Sequence, residues 1–216
     1  MATMLPKRRP PDVIDSETRW PPIVALVLIL CLVNALPGRY QAVGAWFPWV
    51  LVGIGIGSML AVSFARGNLF WHRFERVTLI ALFAIVCVEN VLSIGRLVQD
   101  MVGVKHGFDS ITLLETATEM WAVNILVFAL LYWQIDRPAT RTRIADFAFA
   151  EREANEDWEP HFVDYLFAAF ATSTSFTAPD YSRPTTHRAK LMLMAQATIS
   201  LTVLFLIASR AIATLS

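Results

Sequence analysis

Five long apolar stretches, at residues 22–37, 42–65, 76–100, 111–135 and 189–214, are separated by short polar segments that carry most of the charge. Each is near the ~20 residues that a bilayer-spanning helix needs. The first is ended by Leu36-Pro37-Gly38, because proline and glycine stop a helix. Trp20, Trp46, Trp49, Trp71, Tyr132 and Trp133 fall at segment ends, where aromatic rings favour the headgroup level. In the second stretch, Gly53-x-x-x-Gly57 reads as a place where a neighbouring helix comes close. It is no dinucleotide fingerprint, since no strand precedes it.

Residues 1–20 are polar, with Lys7, Arg8 and Arg9 ahead of Asp12, Asp15 and Glu17. They are too acidic and too long for the front of a signal peptide, so they read as a cytosolic tail. With the N-terminus inside, the inner segments carry Lys7, Arg8, Arg9 and Arg19, then Arg66, Arg73 and Arg76, then Arg137, Arg141, Arg143 and Arg152. The outer ones carry little beyond Arg39 and Lys105. Inner loops are the ones enriched in lysine and arginine, which sets this orientation.

The segment from His161 to Pro179 is apolar at first and then becomes a run of hydroxyls. As a full span it would put Arg183, His187, Arg188 and Lys190 outside, against the charge bias. As a re-entrant helix and loop it keeps them inside, and non-helical backbone at membrane depth is tolerated where it is buried in protein or lines a wet cavity. The expected fold class is therefore an all-α membrane protein, a bundle of five transmembrane helices plus a re-entrant pore-like helix and loop. Its parts are a cytosolic N-terminal tail (1–20), a four-helix transmembrane bundle (21–136), a cytosolic or interfacial linker (137–160), and the re-entrant helix, loop and last spanning helix (161–216). The linker is expected on the membrane surface, with Ile144, Phe147 and Phe149 as its apolar side.

Composition agrees with a membrane setting: 56% of residues are hydrophobic, 17% are charged and the mean hydropathy is +0.51, against roughly 45–50% and about 25% in soluble domains. Eighteen basic and eighteen acidic residues cancel, leaving no basic field for nucleic acid. Cys31 and Cys87 both lie in apolar stretches, which excludes a disulfide framework. His72, His106, His161 and His187 show no ligand spacing, and there is no G-x-S-x-G, P-loop or H-E-x-x-H. The sequence thus points to no catalytic residue, no metal site and no cofactor.

Two constellations can carry chemistry. Glu89, Ser93, Arg96 and Asp100 share one face of the third helix, and Thr112, Glu115 and Glu119 share one of the fourth. A short loop makes these helices antiparallel neighbours, with Arg96 and Glu115 at similar depth. Charges in a bilayer must face one another or water. The set reads either as a structural ion-pair ladder or, because carboxylates outnumber Arg96, as a proton or cation site at Glu89. The second constellation is the hydroxyl run Thr172, Ser173, Thr174, Ser175 and Thr177 with Asp180, opposite Gln196 and Ser200 on the last helix.

The segment from Phe167 to Asp180, through Pro184-Thr185, Arg188 and Lys190 to Ala208-Ser209-Arg210, resembles the pore helix, filter and inner helix of potassium channels over about 50 residues. Those channels read T-x-T-T-V-G-Y-G-D from the position of Thr172 to that of Asp180. Here Ala178 and Pro179 stand in the last two G-Y-G positions, so the glycine filter is missing. Over the whole chain the sequence is similar to a family of bacterial multi-pass membrane proteins without an assigned activity. The matching residues are Leu36-Pro37-Gly38-Arg39, loosely Thr112 to Trp121, Val123-Asn124-x-Leu126-Val127-Phe128, Tyr132-Trp133-x-x-Asp136-Arg137, Asp146-Phe147-x-Phe149, Trp158-x-Pro160-x-Phe162-x-Asp164-Tyr165-Leu166, Thr172-x-Thr174-x-Phe176-x-x-x-Asp180 and Arg188-Ala189-Lys190-Leu191. The resemblance implies a channel-like protein of the bacterial inner membrane. Its expected partners are the lipid bilayer, small cations or protons, and further copies of itself. The alternatives are a carrier working through Glu89, Arg96, Glu115 and Glu119, and a structural subunit without transport.

Overall fold

The computed structural model describes residues 20–38, 44, 46–64, 69–102, 110–136, 145–154 and 158–215. The chain is mostly helical: α1 (Trp20–Ala35), α2 (Phe47–Phe64), α3 (Leu69–Val102), α4 (Ser110–Asp136), β1 (Phe147–Phe149), α5 (Ala150–Ala154), α6 (Phe162–Ser175), β2 (Ser182–Pro184) and α7 (His187–Leu215). Among the described residues three stretches are long and apolar enough to cross a membrane, Val77–Gln99 in α3, Ile111–Asp136 in α4 and His187–Ser209 in α7. Pro21–Ala35 and Phe47–Gly57 are shorter apolar helices. Prolines at Pro21, Pro22 and Pro48 sit in first turns, where a missing N–H costs no helical bond.

α4 is the hub, packing against α1, α3, α6 and α7. From Val123 to Asp136 almost every side chain is buried. A helix apolar all round is a core helix, and α4 here is the core helix of the bundle. On the other side of the bundle, α1 pairs with α2. The Asn34 amide donates to Leu30 O at 2.8 Å while its Oδ1 accepts from the Trp49 indole at 3.2 Å, which joins the end of α1 to the start of α2.

Two findings depart from the sequence reading. Gly53 and Gly57 are exposed, with nothing within 4 Å of an added Cβ; the buried glycine is Gly55, facing Leu26, Leu79 and Leu82. The close-packing position within this chain is therefore Gly55. The apolar side expected of the linker is also packed inward. β1 pairs antiparallel with β2, Phe147 opposite Pro184 and Phe149 opposite Ser182. Phe147 and Phe149 are each 2% exposed, packed on Tyr132, Trp158 and Tyr165. Their alternation puts both on one face of a strand, and that face meets α4 and α6 instead of lipid. Ile144 lies outside the described residues.

Candidate functional site

α6 opens with His161 as N-cap, whose backbone N–H donates to the Asp164 carboxylate at 2.7 Å. An acceptor three residues into a helix answers the free N–H groups there. Phe162 meets Trp133 and Phe170 meets Trp121, so α6 runs antiparallel to α4. Its 14 residues make a rod of about 21 Å. It ends at Phe176, in the left-handed conformation (φ 57°), with the Phe176 N–H on Thr172 O at 3.0 Å. Glycine usually takes this place, and a phenylalanine there is strained by roughly 1–2 kcal/mol. The chain then returns to the end it started from: Phe167 and Tyr181 stack at 4.8 Å, Ala150 N–H donates to Tyr181 O, and β2 joins β1.

Two polar clusters hold this excursion in place. At its base, Asp136 accepts the N–H groups of Asp146 (2.5 Å) and Phe147 (3.0 Å) and the Tyr165 hydroxyl (2.6 Å). A carboxylate at the C-terminal end of α4 is unfavourable to the helix dipole, and these three donors offset that. Asp146, 1% exposed, is forked by Arg188 through Nε (2.5 Å) and Nη2 and accepts from Thr186 Oγ1 (2.5 Å). The Thr185 N–H adds a bond to Asp146 O.

At its tip lies a polar network between α4, α6 and α7. Asn124 Nδ2 donates to Ser200 Oγ (2.9 Å), Ser200 Oγ to Ser173 Oγ (2.9 Å), and Gln196 Nε2 to Ser173 Oγ (3.0 Å) and Ala169 O (2.8 Å); the Tyr132 hydroxyl donates to Gln196 Oε1. All five side chains are buried. A network of this kind fixes the register of helices that apolar contacts alone leave free to slide.

The structure thus divides the expected pore residues. Ser173, Gln196 and Ser200 come together, but inside one chain, enclosed by α4 and α6. Thr172 is also buried and donates to Ala168 O. Thr174, Ser175, Thr177 and Asp180 are exposed, and the first two donate to Phe170 O and Ala171 O on their own helix. Asn124, Tyr132, Asp136 and Asp146 belong to the site and were not read as such. Their signal was a set of polar residues inside or beside apolar stretches, each without an obvious partner in sequence.

Of the other constellation, Glu89 and Ser93 are buried on α3, Arg96 and Glu119 are half-buried, and Glu115 is exposed on α4; the Asp100 side chain lies outside the described residues. Glu89 lines a small cavity of about 30 Å³ between α1, α2, α3 and α4, otherwise walled by apolar residues such as Ile29, Leu51, Leu82 and Val127. Among the described residues no group of three His, Cys, Asp or Glu is placed to hold a metal ion.

Tyr181, on the return segment, is half-buried. Burial, then the nearby charges of Asp164 and Glu151, push its hydroxyl above the ordinary 10.0. A raised phenol favours the folded state while neutral, so its contribution is complete below pH 10 and is lost as pH rises beyond that. Tyr181→Phe is expected to flatten the alkaline fall in stability, read as melting temperature against pH in detergent. An unchanged alkaline limb would mean that the group is not buried as described. No protein-family model, curated protein or solved structure matches the chain.

Proposed function

We propose that the protein is a channel-like membrane protein that conducts small cations through a pore formed by several copies of the chain. In this reading α1, α2, α3, α4 and α7 span the bilayer, the N-terminus is cytosolic, and α6 with its return segment is re-entrant from the cytosolic side of the bacterial inner membrane. One observation carries it. The tip of α6 stands beside Ser200, the fourteenth residue of α7, which is about 20 Å along that helix and well inside a hydrocarbon core of about 30 Å. At that depth Thr174, Ser175 and Thr177 are exposed on the single chain, beside the carbonyl-bearing end of a helix. The Thr174 and Ser175 hydroxyls donate within α6, but their oxygens and the end-of-helix carbonyls keep acceptor capacity that lipid cannot meet, whereas a wet path or another copy can. One chain supplies one such loop, and enclosing an axis takes symmetric copies. The carbonyl end carries the negative end of the helix dipole, which favours cations.

A second reading, a proton- or cation-coupled carrier, is favoured by Glu89, which is buried at the middle of the α3 span and lines the apolar cavity. Purified protein in liposomes with a cation-flux assay separates the two. Thr174→Val with Thr177→Val is expected to abolish flux while Glu89→Gln spares it. The opposite pattern favours the carrier. No flux of any cation or proton from a monomeric protein leaves a structural subunit.

A further inference from the structure

The cavity between α1, α2, α3 and α4 joins an apolar lining to a buried carboxyl group. Among the described residues, Glu89 is the one polar side chain in its wall, and it is only 9% exposed. The buried carboxylates Asp136 and Asp146 are met by N–H, hydroxyl and guanidinium donors of the chain itself. Glu89 instead borders an apolar space.

The lining gives that space its shape. On α3 it takes in Leu79, Leu82, Phe83, Val86 and Glu89, which share one face of the helix and extend over about 15 Å. On α1 it takes in Leu26, Ile29, Leu30 and Val33, two turns of one face. The volume of about 30 Å³ is the room open to the centre of a water-sized sphere. Drawn out along two turns or more, it is a slot about as wide as one alkyl chain. Leu26 and Leu79, which meet at Gly55, wall one end, and Glu89 stands at the other. Val52 and Val86 in its wall are half-buried, so the slot has an edge toward the outside of the bundle.

The chemistry of the two ends selects a ligand. A charge within a bilayer must face an opposite charge or water. Water is a poor filling, since a buried water needs two to four polar partners and the slot offers one carboxyl group. A carboxylate has about four acceptor sites, so a bond to a neighbouring residue leaves capacity for a donor in the cavity. A primary ammonium supplies both the donors and the positive charge. Its alkyl tail fills the rest of the slot, which apolar walls favour. An anionic head is repelled by Glu89, and a trimethylammonium head is broader than the slot.

We propose that this slot binds a single-chain primary alkylammonium, with its head on Glu89 and its tail running toward Leu79, taken up from the lipid side past Val52 and Val86. The site stands apart from the channel reading, because neither α6 nor α7 lines it.

The test is the melting temperature of the purified full chain in maltoside detergent at pH 7, with octylamine, octanol, octyltrimethylammonium or butylamine added at matched concentrations. Octylamine at about a hundred times its dissociation constant is expected to raise melting by about 5 °C, and octanol and octyltrimethylammonium by less than about 1 °C. Glu89→Gln is expected to lose the octylamine shift. Leu79→Phe, which shortens the far end, is expected to lose the octylamine shift and keep that of butylamine. Equal shifts with octylamine and octanol, or an octylamine shift that survives Glu89→Gln, overturn the pairing of the head with Glu89. An octylamine shift that survives Leu79→Phe overturns the direction of the tail. No shift with either amine on the parent chain overturns the site altogether, and this comparison needs no variant to fold.

Discussion

Asp136→Ala is expected to destabilise the protein by roughly 3–5 kcal/mol, since hydrogen bonds to a charged group contribute about 1.5–3 kcal/mol each and three converge here with overlapping roles. The carboxylate joins the last turn of α4, the first residues of β1 and the first turn of α6. Its removal strands two buried N–H groups and the Tyr165 hydroxyl at once, and buried donors without acceptors are costly. Asp136→Asn keeps one carbonyl oxygen for the two N–H groups and reverses the bond to Tyr165, so it is expected to be several-fold milder. Thermal unfolding in detergent, followed by circular dichroism, separates the two variants. Equal, small shifts would show that β1 does not depend on this acceptor. Because β1 carries β2, the alanine variant is also expected to expose the return segment near Tyr181 to protease before the helices melt.

The helices were legible in the sequence because their signal is local. Long apolar runs bounded by Leu36-Pro37-Gly38 or by charged loops translate directly into α1, α2, α3, α4 and α7, and the short helix Phe162–Ser175 falls within the segment read from His161 to Pro179. The small sheet was not legible. Phe147-Ala148-Phe149 is three residues long, and its partner Ser182-Arg183-Pro184 lies more than thirty positions away. The register comes from the acceptors Asp136 and Asp146 and not from alternation in the strands. The inward and outward stripes of α7 were likewise ambiguous. Gln196, Ser200 and Val203 share a face with the spacing of a pore lining, and equally with that of a buried seam. Only the presence of Asn124, Tyr132 and Ser173 opposite them decides it. Glycine spacing misled for a related reason: Gly53 and Gly57 satisfy the small-residue pattern, but α2 turns Gly55 toward α1 and α3.

Gln196→Leu is expected to cost about 1–3 kcal/mol, because it leaves the buried Tyr132 hydroxyl without its acceptor, while Ala169 O keeps its bond within α6 and loses only a second donor. Gln196 is wholly buried and contributes both ends of its amide, Oε1 to Tyr132 and Nε2 to Ala169 O and Ser173. Tyr132→Phe removes only the donor to Oε1 and is expected to cost about 1–2 kcal/mol. The double variant is the informative one. Once the amide is gone the phenol has no partner to lose, so removing its hydroxyl relieves a penalty. Tyr132→Phe with Gln196→Leu is therefore expected to be less destabilised than the sum of the single changes by about 1–2 kcal/mol. Costs that add to within about 0.5 kcal/mol would show that the two side chains do not bond. Under the proposed channel reading flux adds a second readout, since the network seats the α6 tip against α7. On that reading both single variants are expected to lose conduction in proportion to their loss of stability, and the double variant to recover part of both. Recovery of stability without any recovery of flux would mean that the network positions the tip through Ser173 and Ser200 alone.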